Sequence, residues 1–523
     1  METFLQRGLA ATFAATLMCG VSTVALAAPA KEAARLEAMQ RQLDELRAQL
    51  AALQGGGQPS DQLSALQAQL DAMAAQLAEV KEAQENAAAD IATLKAPPTG
   101  GAVTTTLSNG KPSFATADGR FTANIRAIVM ADAGKYFQKD NLGASVVGRD
   151  LNEGVNFRRA RVGFDGRLFR DFDYAFVYEF GGSGAEEAGR LYEASVTYTA
   201  LKPLRIKLGA FEPNIGLAAA TSTSAMPLLE RPAPAEAARN VAAGDSRAAL
   251  QLTANGMRGD GDTGVGLRWL VSGALTGNTL GGSHQFDEQT AAIGRIAIAP
   301  FGSTAWQTHF GANYQRVISP NDATGGGAGV RYPIQIRDRP ELRLDGSRLV
   351  DTGAIDAEGA QVFGLEAAAQ VGPFLIEGER FAYEIARRAS ALADPKFDGW
   401  YVQGSWVLTG EPRLYDPLEG RFAAPRQNVN FAPAEGAWGA FELAARYSVL
   451  DLNFREGAGG AIPADGVRGG EQKILSLGLN WYLNPAIRTM INYQHVEIDR
   501  LNAVGVQIGQ TYDAVAARAQ FTF

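Results

Sequence analysis

Two hydrophobic periods divide the chain. Between residues 31 and 95 the seam positions are Leu36, Met39, Leu43, Leu46, Leu50 and Leu53, then Leu63, Leu66, Leu70, Met73, Leu77, Val80, Gln84, Ala87, Ile91 and Leu94. Steps of three and four alternate, which is the a/d pattern of an α-helical coiled coil. Gly55-Gly56-Gly57-Gln58-Pro59-Ser60 interrupts it, and the seam resumes at 63 where unbroken phase would give 64. The stretch either folds back as a hairpin or continues as one bundle with a flexible joint. Leucine at both a and d leaves the number of helices open. Ala96-Pro97-Pro98-Thr99-Gly100-Gly101 stops the helix, and residues 96–109 read as a linker.

From about residue 110 the period falls to two. Phe121, Ala123, Ile125, Ala127, Val129 and Ala131 alternate with Arg120, Thr122, Asn124, Arg126, Ile128 and Met130. Ala160, Val162, Phe164 and Leu168 alternate with Arg159, Arg161, Asp165 and Arg167. Phe172, Tyr174, Phe176, Tyr178 and Phe180 follow the same rule, as do Leu475, Leu477, Leu479, Trp481 and Leu483. Such runs are strands with one greasy and one wet face. A soluble sandwich alternates too, but here aromatics gather at strand ends and the runs last about ten residues, as a tilted membrane strand requires. The tight Asn484-Pro485 turn contrasts with long Gly-, Pro- and charge-rich segments at 213–244, 318–331 and 454–472. The pattern predicts an all-β, antiparallel transmembrane barrel over 110–523, with room for about 16 strands, two either way. Its last strand ends in Val515, Ala517, Ala519, Phe521 and Phe523, which resembles an outer-membrane sorting signal.

Composition narrows the choice. The chain has 59 glycines in 523 residues, well above the usual ~7%, which disfavours a helix bundle beyond residue 95. A net charge of -8 argues against a nucleic-acid binder. A mean hydropathy of -0.10 argues against a polytopic helical membrane protein but not against a barrel, whose faces average out. Residues 1–27 read as a signal peptide, with Arg7, an apolar run over 9–26 and the small-x-small site Ala25-Leu26-Ala27. The one cysteine, Cys19, lies inside that segment, and Met18 before it departs from a lipoprotein signal. The mature chain then has no disulfide and no Cys-ligated zinc, and export without cysteine suits a bacterial envelope protein.

Several motifs resemble one family. Gly399-Trp400-Tyr401-Val402-Gln403-Gly404-Ser405-Trp406-Val407-Leu408-Thr409-Gly410-Glu411 is similar to the GWYVQ-x-SW-x-LTGE stretch of the phosphate-selective porins O and P. Ala437-Trp438, Phe441-Glu442-Leu443, Ala445-Arg446-Tyr447-Ser448 and Leu479-Asn480-Trp481-Tyr482-Leu483-Asn484-Pro485 add to the likeness. Phe157-Arg158-Arg159-Ala160-Arg161 resembles the family's FRRA strand opening. Gly209-Ala210-Phe211, Gly216, Thr221-Ser222-Thr223-Ser224 and Glu230-Arg231 resemble its third, inward-folded loop. The resemblance implies a homotrimer of 16-stranded outer-membrane barrels, a coiled coil in the periplasm, a lumen narrowed by that loop, and passive diffusion of small anions such as phosphate.

A pore selects anions with fixed cations along a narrow path, and arginine suits phosphate because its planar fork never deprotonates. The wet faces carry Arg120, Arg126, Arg159, Arg161, Arg167, Arg205, Lys207 and Arg247. The i, i+2 spacing of Arg159/Arg161 and Arg205/Lys207 puts neighbours on one face. The anion path is therefore expected to run past Arg126, Arg159, Arg161, Arg205, Lys207 and Arg247, with Arg231, Arg239 and Glu212 on the constriction loop. Balance works against them. Residues 31–95 hold six cations against ten acids, so the barrel keeps -4, and Asp165, Asp173, Glu179, Glu193, Glu366, Glu377 and Glu379 share the wet faces. Glu212 stands where the family places a base before the proline, and residues 218–240 contain no lysine. A general, non-specific porin is the alternative.

No catalytic residues, metal or cofactor are expected. His284, His309 and His495 are the only histidines, and none adjoins a nucleophile motif. Asp260-Gly261-Asp262 lacks the other ligands of a calcium loop, and Glu377/Glu379 read as lumen wall. A further alternative is structural: about 65 residues at ~1.5 Å each reach roughly 95 Å if straight, enough for the coil to tether the barrel to peptidoglycan or a periplasmic partner.

Overall fold

The computed structural model describes residues 44, 48, 103–108 and 111–523, apart from 183–188, 261–264, 281–286, 301, 303–305 and 324–329. The expected signal peptide lies outside the described residues, as do the linker up to residue 102 and the coiled coil except Asp44 and Ala48, both helical. The chain divides into two units, Met1–Gly101 and Ala102–Phe523, and the second is a closed barrel of sixteen antiparallel strands.

The strands are β1 (Thr122–Phe137), β2 (Gly154–Leu168), β3 (Phe172–Glu179), β4 (Arg190–Tyr198), β5 (Leu204–Phe211), β6 (Arg247–Asp260), β7 (Val265–Thr279) and β8 (Thr290–Ala299). They continue with β9 (Trp306–Ser319), β10 (Ile355–Val371), β11 (Phe374–Arg387), β12 (Lys396–Val407), β13 (Ala440–Phe454), β14 (Val467–Tyr482), β15 (Ile487–Asp499) and β16 (Thr511–Thr522). β16 closes on β1 from Asp513↔Phe137 to Thr522↔Ile128. A hairpin of Val103–Ser108 and Lys111–Thr116 extends the start of β1 through Ser113↔Asn124.

The distribution of polarity decides between membrane barrel and soluble sandwich. Phe164 is 48% and Leu477 46% exposed on the outer face, whereas Arg518 is 2% and Asn480 0% exposed on the inner face. Greasy residues face out and polar residues are covered, the reverse of a water-soluble core. An aromatic belt rings one end: Phe374 stacks on Trp406 at 5.3 Å and Phe441 on Trp481 at 5.6 Å. Six residues up β12 and β13, Trp400 meets Tyr447 at 5.8 Å in a second belt, roughly 20 Å away along the strands.

Connections alternate in length. Residues 138–153, 212–246, 320–354, 455–466 and 500–510 form long loops at one end, and 169–171, 199–203, 372–373 and 483–486 form short turns at the other. Two expected boundaries change. The loop begun near 318 runs on to 354, and the one placed at 454–472 ends at 466, because Val467–Glu471 already pair with β13 and β15. One long segment at the short-turn end was not expected. Residues 408–439 carry a hairpin of Arg413–Asp416 and Arg421–Pro425.

Three segments enter the lumen. Residues 212–246 carry α1 (Leu217–Ala220) and α2 (Ala233–Ala242). Alanines 233, 235, 237, 238 and 242 let α2 lie close against β8, β9, β11, β12 and β13, in an apolar cluster with Phe381, Tyr383, Tyr401 and Ile474. The segment covers one half of the barrel wall and leaves the β2–β6 half wet. Leu477→Arg, set on the outer face between the belts, is expected to cost about 2–4 kcal/mol, read from denaturant unfolding of the barrel refolded into vesicles.

Candidate pore constriction

Buried carboxylates fix the inward segments to the wall. Glu379 of β11 accepts from the backbone N–H of Leu217 at 2.7 Å and Ala218 at 2.9 Å and from the Tyr401 hydroxyl at 2.8 Å. It satisfies donors that the first turn of α1 leaves open. Glu341, in the 320–354 loop, accepts from the Ala233 N–H at 2.8 Å, the Ser448 hydroxyl at 2.6 Å and Arg446 Nε at 2.8 Å. It ties the start of α2 to β13. Arg295 on β8 forks onto Glu366 at 2.9 and 2.7 Å and donates to Asn214 and to the Glu419 carbonyl, joining the two inward segments to the wall. Arg413 forks onto Glu442 at 2.7 and 2.8 Å and donates to the Ala225 carbonyl at 2.7 Å.

Glu230 is the hub of the loop. Arg518 reaches it at 2.7 Å and also grips Asp132 at 2.6 and 2.7 Å, Arg158 binds it at 2.9 and 3.2 Å, and Arg159 stands 3.6 Å away. Burial alone would push the Glu230 carboxyl up. The arginines 158, 159 and 518 outweigh it and hold it well below the ordinary carboxylate range.

Two cavities lie on the wet half. One of about 260 Å³ faces the long loops, and eleven arginines line it against five carboxylates. The other, about 300 Å³, faces the short turns; Arg126, Arg161, Arg205, Lys207, Arg231 and Arg421 line it against Glu193, Glu212 and Glu419. Arg161, Tyr192, Thr223 and Arg231 line both cavities, so an arginine of β2 and one of the loop stand where the two cavities adjoin. The Arg161 guanidinium lies 3.5 Å over the Tyr192 ring, with Nε on Glu179 at 2.5 Å.

Each expected site residue has a definite place. Arg126 stands 3.5 Å from Asp165 and 4.0 Å from Glu193. Lys207 binds Glu193 at 2.9 Å, and Arg205 lies 3.6 Å from Glu419. Arg159 and Arg161 line the long-loop cavity. Arg247 also lines that cavity and donates to the Gly277 carbonyl at 3.2 Å; no carboxylate of the described residues pairs with it. The loop residues are tied inward. Arg231 donates to the Ala218, Ala219 and Thr221 carbonyls at 3.1, 3.2 and 3.4 Å. Arg239 pairs with Glu236 and Asp245 at 2.7 Å each. Glu212 sits between them, 3.8 Å from Arg231 and 3.6 Å from Arg239. Glu366 and Glu379, read from sequence as competitors of the arginines, are occupied in anchoring.

Other cations of the path went unread in the sequence. Arg337, Arg339, Arg343 and Arg348 come from the 320–354 loop, and Arg421 from the short-turn insert. The run Arg337-Asp338-Arg339-Pro340-Glu341-Leu342-Arg343 was visible, but no local pattern says a loop turns inward. Within that run, burial pushes Asp338 up to about 7 against the opposing Arg343.

The description "Phosphate-selective porin O and P" belongs to the family model that matches residues 136–523. The chain is 26% identical over 437 residues to Porin O of Pseudomonas aeruginosa, covering 81% of this chain and 94% of that protein. It is 28% identical over 420 residues to an uncharacterised Caulobacter vibrioides protein, covering 78% and 75%. Among solved structures it is similar to an anion-selective porin from Comamonas acidovorans, with 12% identity, a TM-score of 0.44, and 77% and 100% of the two chains covered.

Arg518→Ala would leave Asp132 and Glu230 buried without their cation, and is expected to cost roughly 3–5 kcal/mol. Thermal unfolding of the purified barrel measures it, with Arg167→Ala, at an exposed pair with Asp173, as the near-neutral comparison.

Proposed function

The chain belongs to the phosphate-selective porin O and P family, and we propose that its path prefers small anions, phosphate among them. Family and barrel together indicate a porin channel of the bacterial outer membrane, a conduit and not an enzyme. What carries the anion reading is the pair of adjoining cavities that share Arg161 and Tyr192, in each of which cations outnumber carboxylates. In a narrow, low-dielectric lumen such an excess attracts counter-ions, and guanidinium forks suit phosphate oxygens. Solutes move down their gradient.

Strict phosphate specificity has less support. Arg231 and Arg239 are taken up by the loop's own carbonyls and carboxylates, and no lysine is among the residues that line both cavities. Arg126, Arg159, Arg161, Arg205 and Lys207 each lie within 4.0 Å of a carboxylate. This neutralisation favours, as second reading, a general porin with weak selectivity. For the assembly we read a homotrimer with residues 31–95 as a periplasmic coiled coil. Deleting them separates a trimer clamp (trimers lost, conductance per barrel kept) from a tether to peptidoglycan (envelope integrity lost).

Single-channel recording across a KCl gradient is the primary test. The reversal potential is expected on the anion side, with added phosphate reducing chloride current. Arg161→Glu is expected to move the reversal potential toward the cation side, and no movement would remove Arg161 from the selectivity mechanism. A second expectation concerns pH. Burial pushes Asp338 up to about 7, so the long-loop cavity gains one negative charge as pH rises through that value. Anion preference is then expected to fall between about pH 6 and 8, and D338N to flatten the change. In stability the sign is the same: the folded chain holds a proton the unfolded chain releases near 3.8, so this group's contribution declines as pH rises from about 4 to 7.

A further inference from the structure

The outer face of β9–β12 carries a feature that the ion path does not use. An open groove of about 830 Å³ crosses these four strands. Its floor is made of small residues brought together by register: Thr308 opposite Ala369, and Ala367 opposite Gly378. Its walls are Phe310, Leu365, Ile376, Trp400 and Val402. At its upper edge Leu365, Arg380 and Trp400 stand in one cross-strand row.

Arg380 is the unusual member. It is 71% exposed on a face of apolar side chains, six residues above Phe374 of the lower aromatic belt and level with Trp400 of the upper one. A charged side chain on the lipid face is unfavourable at mid-bilayer and tolerated near the headgroups. Its Nε and Nη2 both donate to one oxygen of Asp398, at 3.1 and 3.0 Å, and Nη1 has no hydrogen-bond partner among the described residues. Four residues further up the same strand Glu384 pairs with Lys396 at 3.7 Å, so a second cation continues the charge above the belt. Charge recurs on the outer face of β14–β16 near this height, with Lys473 on Glu471 at 2.6 Å and His495 on Asp513 at 2.8 Å, so what sets Arg380 apart is the apolar groove directly below it.

We propose that this groove binds an anionic, phosphate-bearing lipid of the outer leaflet. The headgroup phosphate sits on Arg380, whose fork matches phosphate oxygens, and an acyl chain lies over Ala367, Ala369 and Gly378. The cation at headgroup height and the apolar channel directly below it match the two ends of such a molecule, whereas an exposed ion pair alone would add little stability.

The test is native mass spectrometry of the delipidated, detergent-solubilised protein titrated with lipid A and, separately, with zwitterionic phosphatidylcholine. One lipid A per protomer is expected to be retained at concentrations where phosphatidylcholine is not. R380Q, and A367W which fills the floor, are each expected to weaken lipid A retention at least tenfold. R380K is expected to restore part of it, and all three to keep heat-modifiable migration and the wild-type reversal potential. Equal retention of the two lipids, or wild-type lipid A binding by both R380Q and A367W, overturns the proposal. Loss of subunit association in R380Q with lipid retention unchanged also overturns it, and assigns the face to a neighbouring protomer.

Discussion

The lumen is organised by carboxylates that are buried and fully engaged. Glu230, Glu341, Glu379, Glu366 and Glu442 each join an inward segment or its arginine to the wall. Such groups carry a large desolvation cost, so they are weak evidence for net stability but strong constraints on arrangement: removing one partner leaves the other buried and unpaired. The constraint is directional. Glu341, Glu379, Glu366 and Glu442 draw the inward segments toward the β8–β15 wall, Glu230 ties the loop to Arg518 of β16 and Arg158 of β2, and the two cavities remain beside the arginines of β2, β4, β5 and β6. A loop lying centrally in the barrel would divide the lumen differently.

A barrel of net negative charge can still present a cationic path. Charge balance over a chain says nothing about where the charges face. Glu230, Glu341, Glu366 and Glu442 are withdrawn into anchors together with Arg518, Arg446, Arg295 and Arg413, while other arginines, from β2, the 320–354 loop and the 408–439 insert, converge on two cavities. The remaining carboxylates stay beside individual arginines. That moderates the attraction, and a conducting site must be weak enough to release its ion. The Arg161 guanidinium lies over the Tyr192 ring where the two cavities adjoin.

The outside of the barrel obeys a different solvent. Two aromatic belts bound an apolar band, and charge appears near the upper belt on β11 and β12 and again on β14–β16. The same strands thus meet three environments: Glu377 and Glu379 point into the lumen, Gly378 and Ile376 toward lipid, and Arg380 toward the headgroup layer. A two-residue alternation supplies the first distinction and height along the strand supplies the second.

The barrel itself was legible in the chain because alternation is local: successive Cβ atoms of a strand point to opposite faces. The inward direction of Arg126, Arg159, Arg161, Arg205 and Lys207 followed from that rule alone. Their partners did not, since ion pairing is decided by segments far apart in sequence, Arg158 with Glu230 across 72 residues and Arg518 with Asp132 across 386. Nor did the sequence mark residues 408–439 as an inward segment, because its proline- and glycine-rich character is equally that of an outward loop. Period and turn chemistry, set by each residue and its neighbours, determined the strands and their faces. Only the closed barrel, which brings distant carboxylates and arginines into one low-dielectric space, decided which cations support the fold and which meet the solute.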